Sequence, residues 1–465
     1  MNNHVFVLGL DTENREILER TPRLADCTFH ALLSRDELRG VERFPIGRLL
    51  ETCEQRLRAH DGTVDAIFTL LDFPATELVP ILADRFGVPG PSLESVLACN
   101  HKYWSRLIQR DVAFEHVPPF SAFDPYDSSS LARLCEELEF PIWVKPMNAY
   151  RSQLGFRVGS LEELEIVSEV FREQLPRLSD PLQQILDYAD VPAAVAALPQ
   201  HACLAEGIIG GLQCTLEGYV DRAKPVVYGV VDSIREPNGS TFARYQYPSR
   251  LPKRVQRKMA EIACAVVEGS GFDRSAFNVE FYYDRRREQI WFLEINPRAS
   301  QSHAALFERV DGESNQSMVV DVALGRPPHS SHGQGESRVA AKCFVHAFAD
   351  AVIDSLPKPE ELRSVERAVP GASVTLLVDE GTQLSHLLDE DSYSYELANI
   401  FLGAPSQKVL LARYRKCMDL LDFKLGTPPP KKRRRRSRVQ EIGAVPHRPT
   451  EDAVPVPEQA EGVVS

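Results

Sequence analysis

Apolar and polar residues alternate with a period of two most clearly in the stretch Asn278-Val-Glu-Phe-Tyr-Tyr283 and again in Gln289-Ile-Trp-Phe-Leu-Glu-Ile-Asn296, with the polar run Asp284-Arg-Arg-Arg-Glu288 between them. The pattern predicts strand, turn, strand. A five-residue connection sets Tyr283 opposite Gln289 and Asn278 near Glu294, so Asn278, Glu280, Glu294 and Asn296 fall on one face of a hairpin. Nearer the N-terminus a buried strand over 4–10, a helical stretch ending near His60, a strand over 65–71 and a helix over 76–86 alternate as in a parallel α/β domain. No GxGxxG follows the first strand, so a dinucleotide site has no support there. A turn-rich boundary at 86–91 precedes a helix over 95–109 that contains Asn100-His-Lys-Tyr103. Beyond it come an apolar strand over 141–146, a loop, a strand over 156–158, a helix over 161–174, and a strand, glycine turn and strand over 204–220. Strand and helix signals resume from about 338 to 423.

Two glutamates on one sheet face set the first chemical question. Like charges at diagonal cross-strand positions, ~7–8 Å apart at the backbone, repel unless something positive lies between them. Glu280, Glu294 and the amide oxygen of Asn296 form an all-oxygen set of the kind Mg²⁺ takes, shared with phosphates and water; a solvated acidic face is the plain alternative. Lys145 ends an apolar strand at Pro146, which places its ammonium at a sheet edge beside the loop 147–155, as a phosphate clamp requires. In that loop Ser152 and its backbone, with Arg151, could cradle a phosphate.

Phe292-Leu-Glu-Ile-Asn-Pro-Arg298, preceded by Asn278-Val-Glu280, resembles the metal-binding end of the ATP-grasp superfamily, whose members activate a carboxylate as an acyl phosphate and pass it to a nucleophile. The resemblance implies that Glu280, Glu294 and Asn296 hold Mg²⁺, with Mn²⁺ the alternative, against the phosphates of ATP, and that Arg298 faces the transferring phosphoryl group or the substrate. It also implies that Lys145 and Lys102 bind nucleotide phosphates, that Glu206 lies at the adenine hinge, and that Gln213 stands where the family usually has an acid for the ribose. The loop 148–155 departs from the family's glycine-rich lid, since only Gly155 is glycine. The implied fold is α/β: a Rossmann-like parallel domain over 1–95, a two-lobed ATP-grasp region over 96–330 with its lid at about 141–203, and a small C-terminal α+β domain over 338–425. His303 and Arg244 are further candidates for substrate contact, each with a structural role as the alternative.

Composition narrows the setting. The chain has 465 residues, 43% hydrophobic and 26% charged, with a formal charge of −13, which suits a large multi-domain enzyme and not a protein that coats nucleic acid or anionic membrane. Nine cysteines without metal-like spacing, together with the absence of a leader pattern and of a long apolar run, lead us to expect a cytoplasmic protein with reduced thiols. The segment 426–465 is too Pro-rich and polar to bury a core, and seven basic residues between Lys431 and Arg438 could contact a polyanion, against a solvated tail as the plain reading. The sequence therefore reads as an ADP-forming ligase joining a small-molecule carboxylate to an amine, with a thiol as the alternative nucleophile. Its rivals are a biotin-carboxylase-like enzyme, whose glycine- and lysine-rich lid is missing here, and a nucleotide-binding regulatory module without turnover.

Overall fold

The computed structural model describes residues 2–39, 41–149, 153–237, 239, 241–387 and 394–428. Ser152, Arg151 and the basic run 431–438 lie outside the described residues. Strands β1 (Asn3–Leu8), β2 (Cys27–Leu33) and β3 (Ala66–Thr69) form a parallel sheet in the order β2-β1-β3, and helices α1 (Thr12–Arg20), α2 (Arg35–Leu38), α3 (Ile46–Arg58) and α4 (Ala75–Phe86) connect and cover it. Val5, Phe6, Val7 and Leu8 are all buried, as the central strand of a parallel sheet covered on both faces must be. One expectation is corrected here: the stretch up to His60 is not continuously helical, because β2 lies between α1 and α3. Phe29, Leu32 and Leu33 are buried while Ala31 is exposed, so this strand lacks the clean period of two that would set it apart from a helix in the sequence.

A second correction concerns the helix over 95–109, which is two helices, α5 (Leu93–Asn100) and α6 (Lys102–Ala113). His101 takes an extended conformation between them, and its Nδ1 accepts from the Trp104 amide at 3.3 Å as the N-cap of α6. Lys102 thus opens a helix instead of sitting within one, and its backbone N–H donates to the Met147 carbonyl at 2.8 Å. That bond ties α6 to the loop that follows the strand ending at Pro146.

The smaller lobe is a four-stranded sheet made of β4 (Phe120–Phe123), β5 (Ile142–Pro146), β6 (Phe156–Val158) and β7 (Cys203–Gly207), in the order β4-β7-β5-β6. Leaving β7, the chain crosses to another sheet, so the strand, glycine turn and strand over 204–220 bridge two lobes and do not form one hairpin. The second sheet contains β8 (Leu212–Asp221), β9 (Lys224–Arg235), β10 (Phe242–Tyr247), β11 (Ser275–Asp284), β12 (Gln289–Asn296) and β13 (Val339–Ala347). With β14 (Val352–Ser355) and β17 (Lys424–Gly426) paired beside it, β15 (Ser373–Leu376) and β16 (Tyr395–Ala404) complete eight strands in the order β12-β11-β8-β9-β10-β13-β16-β15. Pairing of β10 with β13 carries this sheet across residues 330–338 without a break. Helix Lys253–Gly269 covers its apolar face, packing Met259, Ile262 and Val266 against Phe277, Phe281 and Phe292.

The hairpin register departs from the expected one. Asp284 pairs with Gln289 and Phe281 with Phe292, and then the register slips so that Glu280 faces Glu294 and Asn278 faces Asn296 directly. Leu293 is the extra residue of a β-bulge. Without it Glu280 would face Leu293, and Glu294 would turn to the helix-covered side. Burial records the same slip: Ile290, Phe292 and then Ile295 are buried. The expected face is thus reached by a shorter turn and a bulge.

Candidate active site

The expected residues converge where α6, the small lobe, the large sheet and the N-terminal domain meet. On α6, Lys102 and Arg106 are one turn apart and share a face. Lys102 Nζ donates to Glu294 Oε2 at 3.0 Å. Arg106 is only 2% exposed, and its Nε and Nη2 reach Glu206 Oε2 at 3.0 and 2.9 Å while Nη1 donates to the Phe292 carbonyl at 3.1 Å. Lys145 Nζ, at the end of β5, donates to the other oxygen of Glu206 at 2.6 Å. One buried carboxylate therefore holds two cations from different elements. Burial would raise the Glu206 carboxyl, but Arg106 and Lys145 keep it below the ordinary range, while burial brings Lys145 below its own ordinary value in spite of Glu206.

A chain of polar contacts crosses the polar face of β8, β9, β11 and β12, where Gln213 and Asn278 are buried. Arg235 Nε donates to Gln213 Oε1 at 2.8 Å, and Gln213 Nε2 donates to Glu280 Oε2 at 2.7 Å. Asn296 Nδ2 donates to Asn278 Oδ1 at 2.9 Å and more weakly to Glu280 Oε1 at 3.4 Å, and Asn278 Nδ2 donates to the Arg298 carbonyl at 3.1 Å. The guanidinium of Arg298 is clamped by Asp72, with Nε at 2.7 Å and Nη2 at 2.5 Å from Oδ1. Both ends of the Gln213 amide are engaged within the protein.

Glu280 and Glu294 respond to this setting in opposite directions. Burial and the opposing Glu294 carboxylate raise Glu280 above the usual carboxylate range. Burial would raise Glu294 too, yet the charge and hydrogen bond of Lys102 and the charge of Lys145 hold it well below that range. A facing carboxylate pair of this kind gains from a dication between its members. The donor set fits a hard cation: two carboxylates, and an asparagine whose Nδ2 is spent on acceptors so that Oδ1 remains for a metal.

Several participants escaped the sequence reading. Asp72 follows β3 in a different domain, and nothing local to it announces Arg298. Arg106 was legible in principle, because its spacing from Lys102 places it on the same helix face. Glu217 is fully buried and accepts from His303 Nδ1 at 2.7 Å and from the Ser300 amide at 3.3 Å. His303 is thus withdrawn to 2% exposure beside a carboxylate partner that the sequence did not reveal. Arg244 is half-buried on β10, with Nε 3.4 Å from Gln246 Oε1.

Residues 246–328 match the family described as carbamoyl-phosphate synthase L chain, ATP binding domain. The chain is 27% identical over 186 residues to the C-terminal section of the carbamoyl phosphate synthase large chain of Methanopyrus kandleri, a match covering 39% of this chain and 29% of that protein. It is 26% identical over 281 residues to D-alanine–D-alanine ligase A of Bradyrhizobium diazoefficiens, covering 57% of this chain and 70% of the relative. Among solved structures, the L-amino acid ligase of Bacillus licheniformis superposes with a TM-score of 0.68 at 18% identity, covering 91% of this chain and 98% of that one. Biotin carboxylase of Campylobacter jejuni gives 0.58 at 12% identity, with 94% of each chain covered.

Proposed function

The chain has the fold of the ATP-grasp superfamily, and from that premise we propose that it is an ATP- and Mg²⁺-dependent ligase that activates a carboxylate as an acyl phosphate for attack by an amine, releasing ADP and phosphate. One observation carries the reading: Lys102 from α6, Lys145 from the small lobe and Glu280, Glu294 and Asn296 from the large sheet meet in one polar cluster with Arg298 beside it. Phosphoryl transfer needs this combination, with cations aimed at phosphate oxygens and carboxylates that position metal. Two relatives that are ligases of amino acids by name support the same class.

In this reading Glu280, Glu294 and the Asn296 oxygen hold Mg²⁺, which neutralises phosphate charge and orients the transferring group. Lys102 and Lys145 bind phosphate oxygens. The segment after Glu206, where the chain crosses between lobes, receives adenine, and Gln213 lies at the ribose edge while it fixes Glu280. A substrate carboxylate oxygen attacks the γ-phosphorus, and the bond from that phosphorus to the β–γ bridging oxygen breaks to release ADP. Arg298, oriented by Asp72, faces the oxygens that carry the developing charge. The amine nitrogen then bonds to the acyl carbon, phosphate departs with the carbon–oxygen bond pair, and the amine gives up a proton. Closure of the small lobe over this centre keeps water from the acyl phosphate.

Incubation of the purified chain with Mg·ATP and pools of carboxylates and amines, read by ADP release and product mass, tests the proposal. ADP formation that requires both pools and yields a mass equal to acid plus amine minus water is expected. ADP formation supported by bicarbonate alone as the acid would replace the ligase with a carboxylase, and nucleotide binding without turnover would leave a regulatory module.

A further inference from the structure

Three imidazoles meet at the opposite end of the N-terminal sheet from Asp72. His4 lies near the start of β1 and His30 within β2; the parallel register pairs His4 with Thr28 and Phe6 with His30, which puts His4, Phe6 and His30 on one face of the sheet. His60 comes from the turn after α3 and completes the group. One ligating nitrogen from each of the three can be chosen so that all lie within 4.8 Å of one another, and all three residues are half-buried. His4 Nδ1 and His30 Nε2 are 3.1 Å apart, a hydrogen bond in which one ring donates to the other when no ion lies between them. Two nitrogens bound to one tetrahedral Zn²⁺ at ~2.0–2.1 Å are about 3.3 Å apart, so this pair already has the spacing of a chelating edge.

Two further observations point to a ligand. His60 Nε2 is shut off from solvent and has no hydrogen-bond partner, an uncommon condition for a buried ring nitrogen. Gly62 passes directly over the rings: a Cβ there would lie 2.7 Å from His60 Nε2 and 3.0 Å from His4 Nε2, so only glycine leaves this cradle open. Oδ2 of the nearby Asp65 accepts from the His4 backbone amide at 2.7 Å and from the Thr63 hydroxyl at 2.9 Å. Phe6 stacks on His30 with ring centroids 4.8 Å apart and presents an edge to His60 at 5.1 Å, which limits how the rings can turn away.

We propose that His4, His30 and His60 form a binding site for a borderline dication of the Zn²⁺ class, separate from the carboxylate centre, with water in its fourth position. All-imidazole donation suits Zn²⁺, Cu²⁺ or Ni²⁺ and not Mg²⁺. The ion would clip the turn after α3 to β1 and β2, a stabilising role remote from phosphoryl transfer.

Metal-free full-length chain titrated with Co²⁺ in a large excess of Mg²⁺, which occupies the oxygen site, gives the direct test. One equivalent of Co²⁺ with visible d–d absorption, displaced by Zn²⁺, is expected. His30→Asn and His60→Asn should each weaken binding by more than the ~100-fold that loss of an outer partner can cost, and Glu294→Gln should leave it unchanged. Absence of the absorption, or its loss in Glu294→Gln but not in the histidine variants, would overturn the site. Should a histidine variant fail to fold, the melting temperature of the Glu294→Gln chain decides: Zn²⁺ raises it if the site exists, and no shift refutes it.

Discussion

Glu280 and Glu294 face one another across paired strands, and the difference in their acidity comes from the cations on the Glu294 side, Lys102 first and Lys145 behind it. Lys102 touches Glu294 and leaves Glu280 to Gln213 and Asn296. Glu294→Gln keeps the side-chain shape while removing the charge shared with a metal, and it should cut Mg²⁺-dependent ADP formation by at least ~100-fold with the circular dichroism spectrum unchanged. Undiminished turnover would remove Glu294 from the metal set. Lys145→Ala has a different expected signature. Arg106 keeps two hydrogen bonds to Glu206 Oε2 while Oε1 loses its donor, so the loss of nucleotide affinity should come with some loss of stability. A hydrogen bond to a charged group contributes ~1.5–3 kcal/mol, so the ATP dissociation constant should rise roughly 10- to 150-fold. Calorimetric titration that finds equal affinity in both chains would detach Lys145 from the phosphates.

At the scale of elements, the bulge in β12 decides whether the site exists. Leu293 lets Phe292 and Ile295 both enter the core while Glu294 and Asn296 remain on the polar face. A glycine inserted after Leu293 would shift the rest of β12 by one residue, turning Glu294 toward Phe281 and Val279 and Ile295 toward the cleft. Such a chain should lose ADP formation and several degrees of melting temperature, whereas a glycine inserted between Arg286 and Arg287, in the exposed turn, should change neither appreciably. Equal tolerance of the two insertions in thermal denaturation and turnover would show that the register does not hold the carboxylates in place.

For the molecule as a whole, Glu77 on α4 joins three units. Its carboxylate is fully buried and accepts from Asn100 Nδ2 of α5 at 2.6 Å, from Asn148 Nδ2 beyond the small-lobe strand β5 at 3.2 Å, and from the Thr76 hydroxyl at 2.7 Å. Burial raises its pKa in spite of these hydrogen bonds. The folded chain therefore keeps a proton on Glu77 at pH values where the unfolded chain, with an ordinary pKa of ~4.3, has released it. The stabilisation is complete below the unfolded value and declines as pH rises toward and through the raised folded value, by up to ~1.4 kcal/mol per pH unit. Glu77→Gln removes that slope. The melting temperature of the parent relative to the variant should accordingly fall as pH rises above the unfolded value of ~4.3, and parallel curves would mean that Glu77 titrates alike in both states.

Local pattern carried much of this protein. The strand-turn-strand around Glu280 and Glu294, the apolar strand ending at Lys145 and the helix over 161–174 were all legible, because burial on one face imposes a period that neighbouring residues reveal by themselves. Even the bulge left a trace in the apolar phase slip from Ile290 and Phe292 to Ile295. The break at His101 and the edge strand β2 were harder, since a cap residue and a half-exposed strand differ from a continuing helix only in contacts made elsewhere. Tertiary structure alone decided that Asp72 clamps Arg298, that Glu206 holds both Arg106 and Lys145, that Glu217 lies behind His303, and that three histidines distant in sequence form one cluster. Each of those pairings is between residues far apart along the chain, and its energy depends on distance and shared burial, which exist only after the sheets and helices have packed.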